Sequence, residues 1–271
     1  MILDATCHLH YETHEDVPVV FMLRPCSGSA QWIMRQEFHL QPHVPVMEFT
    51  DLYGNLCQRT VMPKGEFQIS VHYRAQVSDT ADVSPQAECL PVQQLPTDVL
   101  HYLLPSRYCP SDQMTEFAES LVREEPVCHR HVEEVRAWIH REIRYERGAS
   151  DASTSALDTA RSRRGVCRDL AHLGIALCRA LDIPTRMVVG FLHELDPMDL
   201  HAWFEAFLGG RWFTFDPTQE ETTGNRIVLG YGRDAADVAL ATLFGEFSLK
   251  EMNVSVTPAN TTTGSSDLPG L

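Results

Sequence analysis

The chain has 271 residues, 44% of them apolar and 22% charged, enough to fill one large core or two ordinary ones and unlike a disordered or fibrous composition. Its 22 basic and 37 acidic residues leave a formal charge of −15, which argues against a nucleic-acid partner and against docking to an anionic membrane surface. The opening MILDATCHLHYETHED has neither a basic n-region nor a long apolar run, and no stretch approaches a membrane-spanning length, so a cytoplasmic location is expected. In that compartment the 8 cysteines are expected to stay reduced, and no CxxC pair suggests a zinc or redox site.

From the start to about residue 80 the chain reads as β-structure. TCHLHYET, VPVVFMLRP, EFHLQP, PVMEFTD, NLCQRTVMP and FQISVHYRAQV are short runs rich in β-branched and aromatic residues, separated by SGSA, DLYGN and PKGE. Close spacing of such runs predicts an antiparallel sandwich. Residues 81 to about 111 are rich in Pro, Gln, Ser and Asp and read as a linker whose LHYLLPSRY segment packs on a neighbouring surface.

The pattern then turns helical. Ser111 or Asp112 caps a first helix that Pro126 ends, and a second over about 128–145 places Val132, Val135, Trp138, Ile139 and Ile143 on one face. A third, capped by Ser153 or Thr154, runs to Arg163. A fourth starts near Cys167, presents Leu170, Leu173, Leu177 and Leu181 at helical spacing, and ends at LDIP. TRMVVGFL, HAWFEAFL and RWFTFD then read as strands, the last two joined by the hairpin turn Gly209-Gly210, and SLKEMNVSVTP as a final strand. The expected division is a β-sandwich domain with its linker over 1–105, a core of helices packed on an antiparallel sheet over 106–257, and a frayed tail over 258–271.

Cys167 stands apart from the other cysteines. At the first turn of an apolar helix it faces unpaired backbone N–H groups and the positive end of the helix dipole, which favour a thiolate and offer a donor to a developing oxyanion. A cysteine nucleophile needs a base, and the base an orienting group. His201 opens one strand of the hairpin and Asp216 closes the other. The two-residue turn sets position 201 opposite 218, two residues from Asp216 on the same face. An Asp near His201 Nδ1 would leave Nε2 for the thiol.

Several neighbours invite simpler readings. Arg168, Asp169 and His172 are expected in structural ion pairs and hydrogen bonds, Trp203 and Trp212 in packing, and Asp199 beside the entrance or in an ordinary loop. His8, His10 and His14, with Cys128, His129 and His131, lack the carboxylate or thiol partners at firm spacing that a metal site needs.

GVCRDLAHLGIALCRALDIPTRMVVGF followed by DLHAWFEAFLGGRWFTFDPT resembles the bacterial transglutaminase-like superfamily: a Cys at a helix start, a HAW-type strand and a DPT-type strand end, in that order. The match spans about residues 130–220, and the β-rich segment before it resembles the domain that accompanies this core in many bacterial members. The resemblance implies an α+β fold with a papain-like core, and Cys167, His201 and Asp216 as the catalytic triad. It implies a thiol-dependent amide hydrolase or acyl transferase, such as a cysteine protease, an amidase or a transglutaminase, working through a cysteinyl thioester on a protein or peptide amide without metal or organic cofactor. A non-catalytic binding or assembly module built on the same scaffold is the alternative. The shared triad does not choose among these reactions.

Overall fold

The computed structural model describes residues 1–122 and 128–259. The N-terminal part contains β1 (Ile2–Thr13), β2 (Val17–Arg24), β3 (Gln31–Gln41), β4 (Met47–Thr50), β5 (Leu56–Met62) and β6 (Gly65–Val77). Their side chains alternate as a half-buried sheet requires: Leu3, Ala5, Cys7, Leu9 and Tyr11 of β1 face inward, as do Phe67, Ile69, Val71, Tyr73 and Ala75 of β6. The middle of the chain contributes α1 (Thr115–Leu121), α2 (Cys128–Glu142), β7 (Arg144–Tyr145), α3 (Ala156–Ser162), β8 (Arg164–Gly165) and α4 (Cys167–Ala180). After α4 come β9 (Thr185–Leu192), β10 (His201–Leu208), β11 (Arg211–Phe215), β12 (Arg226–Gly232), β13 (Ala241–Leu243) and β14 (Phe247–Pro258).

Three 4-stranded antiparallel sheets result, in the orders β14-β1-β6-β3, β13-β2-β5-β4 and β11-β10-β9-β12, with a small parallel pair β7-β8. The fold is α+β, with the expected N-terminal sandwich and a helix-on-sheet core. The final strand, expected within the core over 106–257, instead pairs along β1 from Leu3↔Pro258 to Thr13↔Phe247, and β13 joins β2. Strand pairing is non-local, and the long open edge of β1 takes the strand that matches its length. Residues 260–271 of the expected tail, and the expected stop at Pro126, lie outside the described residues.

The helices follow the sequence with shifted ends. The third helix is capped not by Ser153 or Thr154 but by Ser155, whose hydroxyl accepts from Asp158 N while Asp158 accepts from Ser155 N. Met114 precedes a first helix shorter than expected, because Ser111–Gln113 form a separate 3-10 turn. Cys89 and Cys128, expected to be free thiols, form a disulfide that ties the linker to the start of α2, with Cα atoms 5.0 Å apart. The linker also packs Leu95 and Val99 around Phe207, and sets Tyr102 edge-on to Trp212 at 5.2 Å.

The sandwich is clamped to the third sheet by two side-chain amides that behave as surrogate backbone. Gln31 accepts from Val228 N at 2.7 Å and donates to Val228 O at 2.8 Å; Asn55 does the same for Tyr231, at 2.8 and 2.7 Å. They satisfy backbone groups on the free edge of β12 beside its bulge. Asn55→Ala removes both bonds at a site 3% exposed and is expected to destabilise the fold by about 2 kcal/mol, read from urea unfolding midpoints. An unchanged midpoint would show that the clamp contributes nothing.

Candidate active site

Cys167 begins α4 after Val166, which has extended backbone angles, and Asp169 accepts a hydrogen bond from Val166 N at 2.9 Å to close the first turn. Gly165 is required by close approach: a Cβ there would lie 2.7 Å from Asp169 Cβ. Gly174, two turns further, lets α4 lie directly on β10, since a Cβ would stand 2.4 Å from the Phe204 ring. This contact sets the distance between the helix tip and the start of β10, where His201 sits.

The hairpin register is the one expected from Gly209-Gly210: Phe204 pairs with Phe215 and Leu208 with Arg211. Beyond the last pair, His201 Nε2 is 2.8 Å from Asp216 Oδ2 and 3.4 Å from Thr218 Oγ1. The carboxylate is therefore on Nε2, the reverse of the expected arrangement, and Nδ1 is the nitrogen left for the thiol. The imidazole enters from the strand end and reaches back across the hairpin, so its far nitrogen meets the carboxylate. Cys167 lies close enough to His201 to help raise its imidazole. The structure thus brings Cys167, His201 and Asp216 together across the separation of α4 from β10.

Asp216 is fully buried and His201 is 3% exposed. Burial pushes the Asp216 carboxyl up, but the charges of His201 and Arg226 and hydrogen bonds from His201 and Thr218 hold it well below the usual carboxylate range. Burial pushes the His201 imidazole down, and the charge and hydrogen bond of Asp216, with Cys167, carry it to about 9. Thr218 donates to Asp216 Oδ1 from its hydroxyl at 2.7 Å and its backbone N at 3.0 Å, while Arg226 Nη1 donates to Oδ2 at 2.8 Å.

Arg226 was missed in the sequence. Its strand, β12, falls in a stretch that is assigned no element from the sequence, although RIVLGYG after the turn residues TTGN carries a strand signal. Tyr145 arrives by the β7-β8 pair, opposite Gly165, close enough to Cys167 for each to act on the other. Burial and the nearby Cys167 charge push the Tyr145 hydroxyl up, so it stays a neutral donor. Asp199 pairs with the exposed Arg147 at 3.4 Å.

The other candidates are structural. Asp169 pairs with Arg168 at 2.9 Å. His172 stacks on Tyr108 at 5.0 Å, accepts from Ala235 N, and is pushed by burial to about 4, hence neutral. Trp203 is buried and stacks beside His201 at 5.9 Å. His8 hydrogen-bonds Ser70, and His129 packs against Phe213 and Phe215. Among the unpaired cysteines, burial pushes Cys7, Cys109 and Cys178 up to about 12 and Cys57 to about 11, while Cys167 is half-exposed.

Two outcomes follow for this network. A His201 value raised above the ordinary value near 6.5 contributes stability that is complete below that pH and is lost as pH rises through about 9. NMR titration is expected to place His201 near 9, and Asp216→Asn, by removing the neighbouring negative charge, to move it down. Arg226→Met leaves a buried carboxylate short of one cation and is expected to cost about 3–5 kcal/mol in unfolding free energy, against a far smaller loss for the exposed Arg147→Met.

Comparison with known proteins agrees with this geometry. Residues 115–217 match the model of the transglutaminase-like superfamily. A crystal structure from Cytophaga hutchinsonii, which carries a provisional description as a cysteine protease, is 32% identical, with a TM-score of 0.90 over 96% of this chain and 91% of that one. An uncharacterized protein of Mycobacterium leprae is 26% identical over 231 residues, covering 80% of this chain and 82% of its own. One from Mycobacterium tuberculosis is 32% identical over 139 residues, 44% of each chain. The half-exposed cysteine at a helix tip, the buried histidine and carboxylate beside it and the near full-length likeness to the Cytophaga structure have one meaning: the chain belongs to the transglutaminase-like superfamily.

Proposed function

We propose that the protein is a thiol-dependent hydrolase of amide bonds, with Cys167 as nucleophile, His201 as acid and base, and Asp216 as the group that orients and charges the imidazole. The observation that carries the reading is the placement of the half-exposed Cys167 on one side of a buried imidazole whose other nitrogen is held by Asp216. Superfamily membership and the provisional protease description of the Cytophaga structure support it.

In the proposed cycle the Cys167 thiolate attacks the amide carbonyl. The backbone N–H of Cys167 and the Tyr145 hydroxyl donate to the oxyanion. The His201 imidazolium gives its Nδ1 proton to the leaving amine as the C–N bond breaks. Water, deprotonated by His201, then opens the thioester and releases a carboxylic acid. Hydrolysis is preferred to transfer because water is abundant and no sequence motif marks an amine-acceptor site. Because Asp216 remains ionised beside it, His201 keeps its proton at neutral pH until the leaving group takes it.

Incubation with a glutamine peptide and a labelled amine, read by mass spectrometry, tests the reaction class. Ammonia release without amine incorporation is expected, and incorporation of the amine would instead mark a transferase. Iodoacetamide is expected to label Cys167 faster than the remaining thiols, the exposed Cys26 included, and His201→Ala to abolish its advantage over Cys26; labelling of Cys167 no faster than of Cys26 would favour a binding module on the same scaffold. Tyr145→Phe is expected to lower kcat by about 10- to 100-fold with little change in KM, since the lost donor acts on the oxyanion.

A further inference from the structure

β14 is the outermost strand of its sheet, with β1 on one side and no strand on the other among the described residues. It runs from Phe247 to Pro258 and is exposed along most of its length. Its register with β1 sorts its side chains by face. Phe247, Leu249, Met252 and Val254 lie opposite Thr13, Tyr11, Leu9 and Cys7, which are buried in the sandwich. Ser248, Glu251 and Asn253 lie opposite Glu12, His10 and His8 on the outer face. The inward set is poorly covered: Phe247 and Leu249 are each 46% exposed and Met252 37%, and Phe244, just before the strand, is 63% exposed. A long edge with open apolar side chains is a template for a further strand.

The strand also carries a bulge. Between His10 and Tyr11 the pairing skips Lys250, whose ammonium turns to Glu12 on the outer face at 2.5 Å. Lys250 and Glu251 therefore point outward in succession. The order of faces over 247–254 then reads the same from either end: in, out, in, out, out, in, out, in. Two such strands laid antiparallel over this stretch match face to face when Lys250 of one lies opposite Glu251 of the other. A slip of one or two residues either way sets an inward side chain against an outward one at the centre, and the one-residue slips oppose Lys250 to Lys250 or Glu251 to Glu251. Edge lysines and bulges commonly keep a strand unpaired. Here the bulge is what makes the pattern symmetric, and the residue set against the lysine is an acid.

We propose that β14 is a self-association edge, at which two copies of the chain pair β14 with β14 about a twofold axis between Lys250 and Glu251. Phe247 then lies opposite Val254 and Leu249 opposite Met252, which covers the open apolar side chains. Ser248 lies opposite Asn253, and Lys250 opposite Glu251. The axis repeats each of these pairs, and the two sheets continue as one. Lys250 has three donors and Glu251 two oxygens, so their bonds within the chain, to Glu12 and from Asn253 at 2.7 Å, do not use them up.

Sedimentation velocity of the full chain over a range of concentrations tests this. A monomer–dimer equilibrium is expected. Lys250→Glu makes the central pairs acid against acid, and Glu251→Lys makes them base against base. Each is expected to weaken the dimer by about tenfold or more, with little change in the urea unfolding midpoint because both positions are exposed. An equimolar mixture of the two variants restores opposite charges at every central pair and is expected to dimerise like the parent. A chain that stays monomeric at all concentrations, single variants that dimerise like the parent, or a mixture that associates no more strongly than its components overturns the assignment.

Discussion

A fully buried carboxylate is the constraint around which the candidate site is organised. An ionised Asp216 without partners would carry a desolvation penalty of several kcal/mol, and the fold offsets it with His201, Arg226 and two hydrogen bonds from Thr218. The same contacts hold the imidazole protonated above neutrality. Stabilisation of the core and activation of the proposed acid thus draw on one ion. Loss of any partner is expected to disturb both together.

The N-terminal sandwich takes part in this arrangement through β12. Gln31 and Asn55 reach from the sandwich to the backbone of Val228 and Tyr231, and Arg226 lies two residues before the first of these contacts. Phe191, Ile227 and Leu229 extend the sandwich core into the third sheet. The clamp therefore fixes the strand that supplies the cation for Asp216. The sandwich is a structural support of the site, joined to it by packed side chains and paired backbone groups. β13 and β14 return to its two sheets, so strands from both ends of the described chain build the sandwich.

On the helix side, close packing sets the geometry. Gly174 against Phe204 brings α4 onto β10, and Gly165 lets Asp169 fold back on the turn that presents Cys167. Tyr145 is delivered by the short parallel pair of β7 with β8, which places it opposite a residue two positions before the cysteine. None of these contacts is large, but each removes a degree of freedom between the thiol and the imidazole.

Local rules determined much of this from the sequence alone. The apolar period of α4, the Gly209-Gly210 turn with its register, and the position of Cys167 at a helix start depend on neighbours a few residues apart, so they could be read in the string. That register also placed Asp216 near His201. The tertiary structure decided what depends on distant segments and on side-chain direction. It set Asp216 on Nε2 and not Nδ1, because ring orientation follows from the path of the strand and not from spacing. It supplied Arg226 from an unrecognised strand, paired Cys89 with Cys128, and sent the last strand to β1. Pairing between remote segments is selected by burial and edge matching across the whole molecule, and a linear sequence carries no local signal of which distant partner will win.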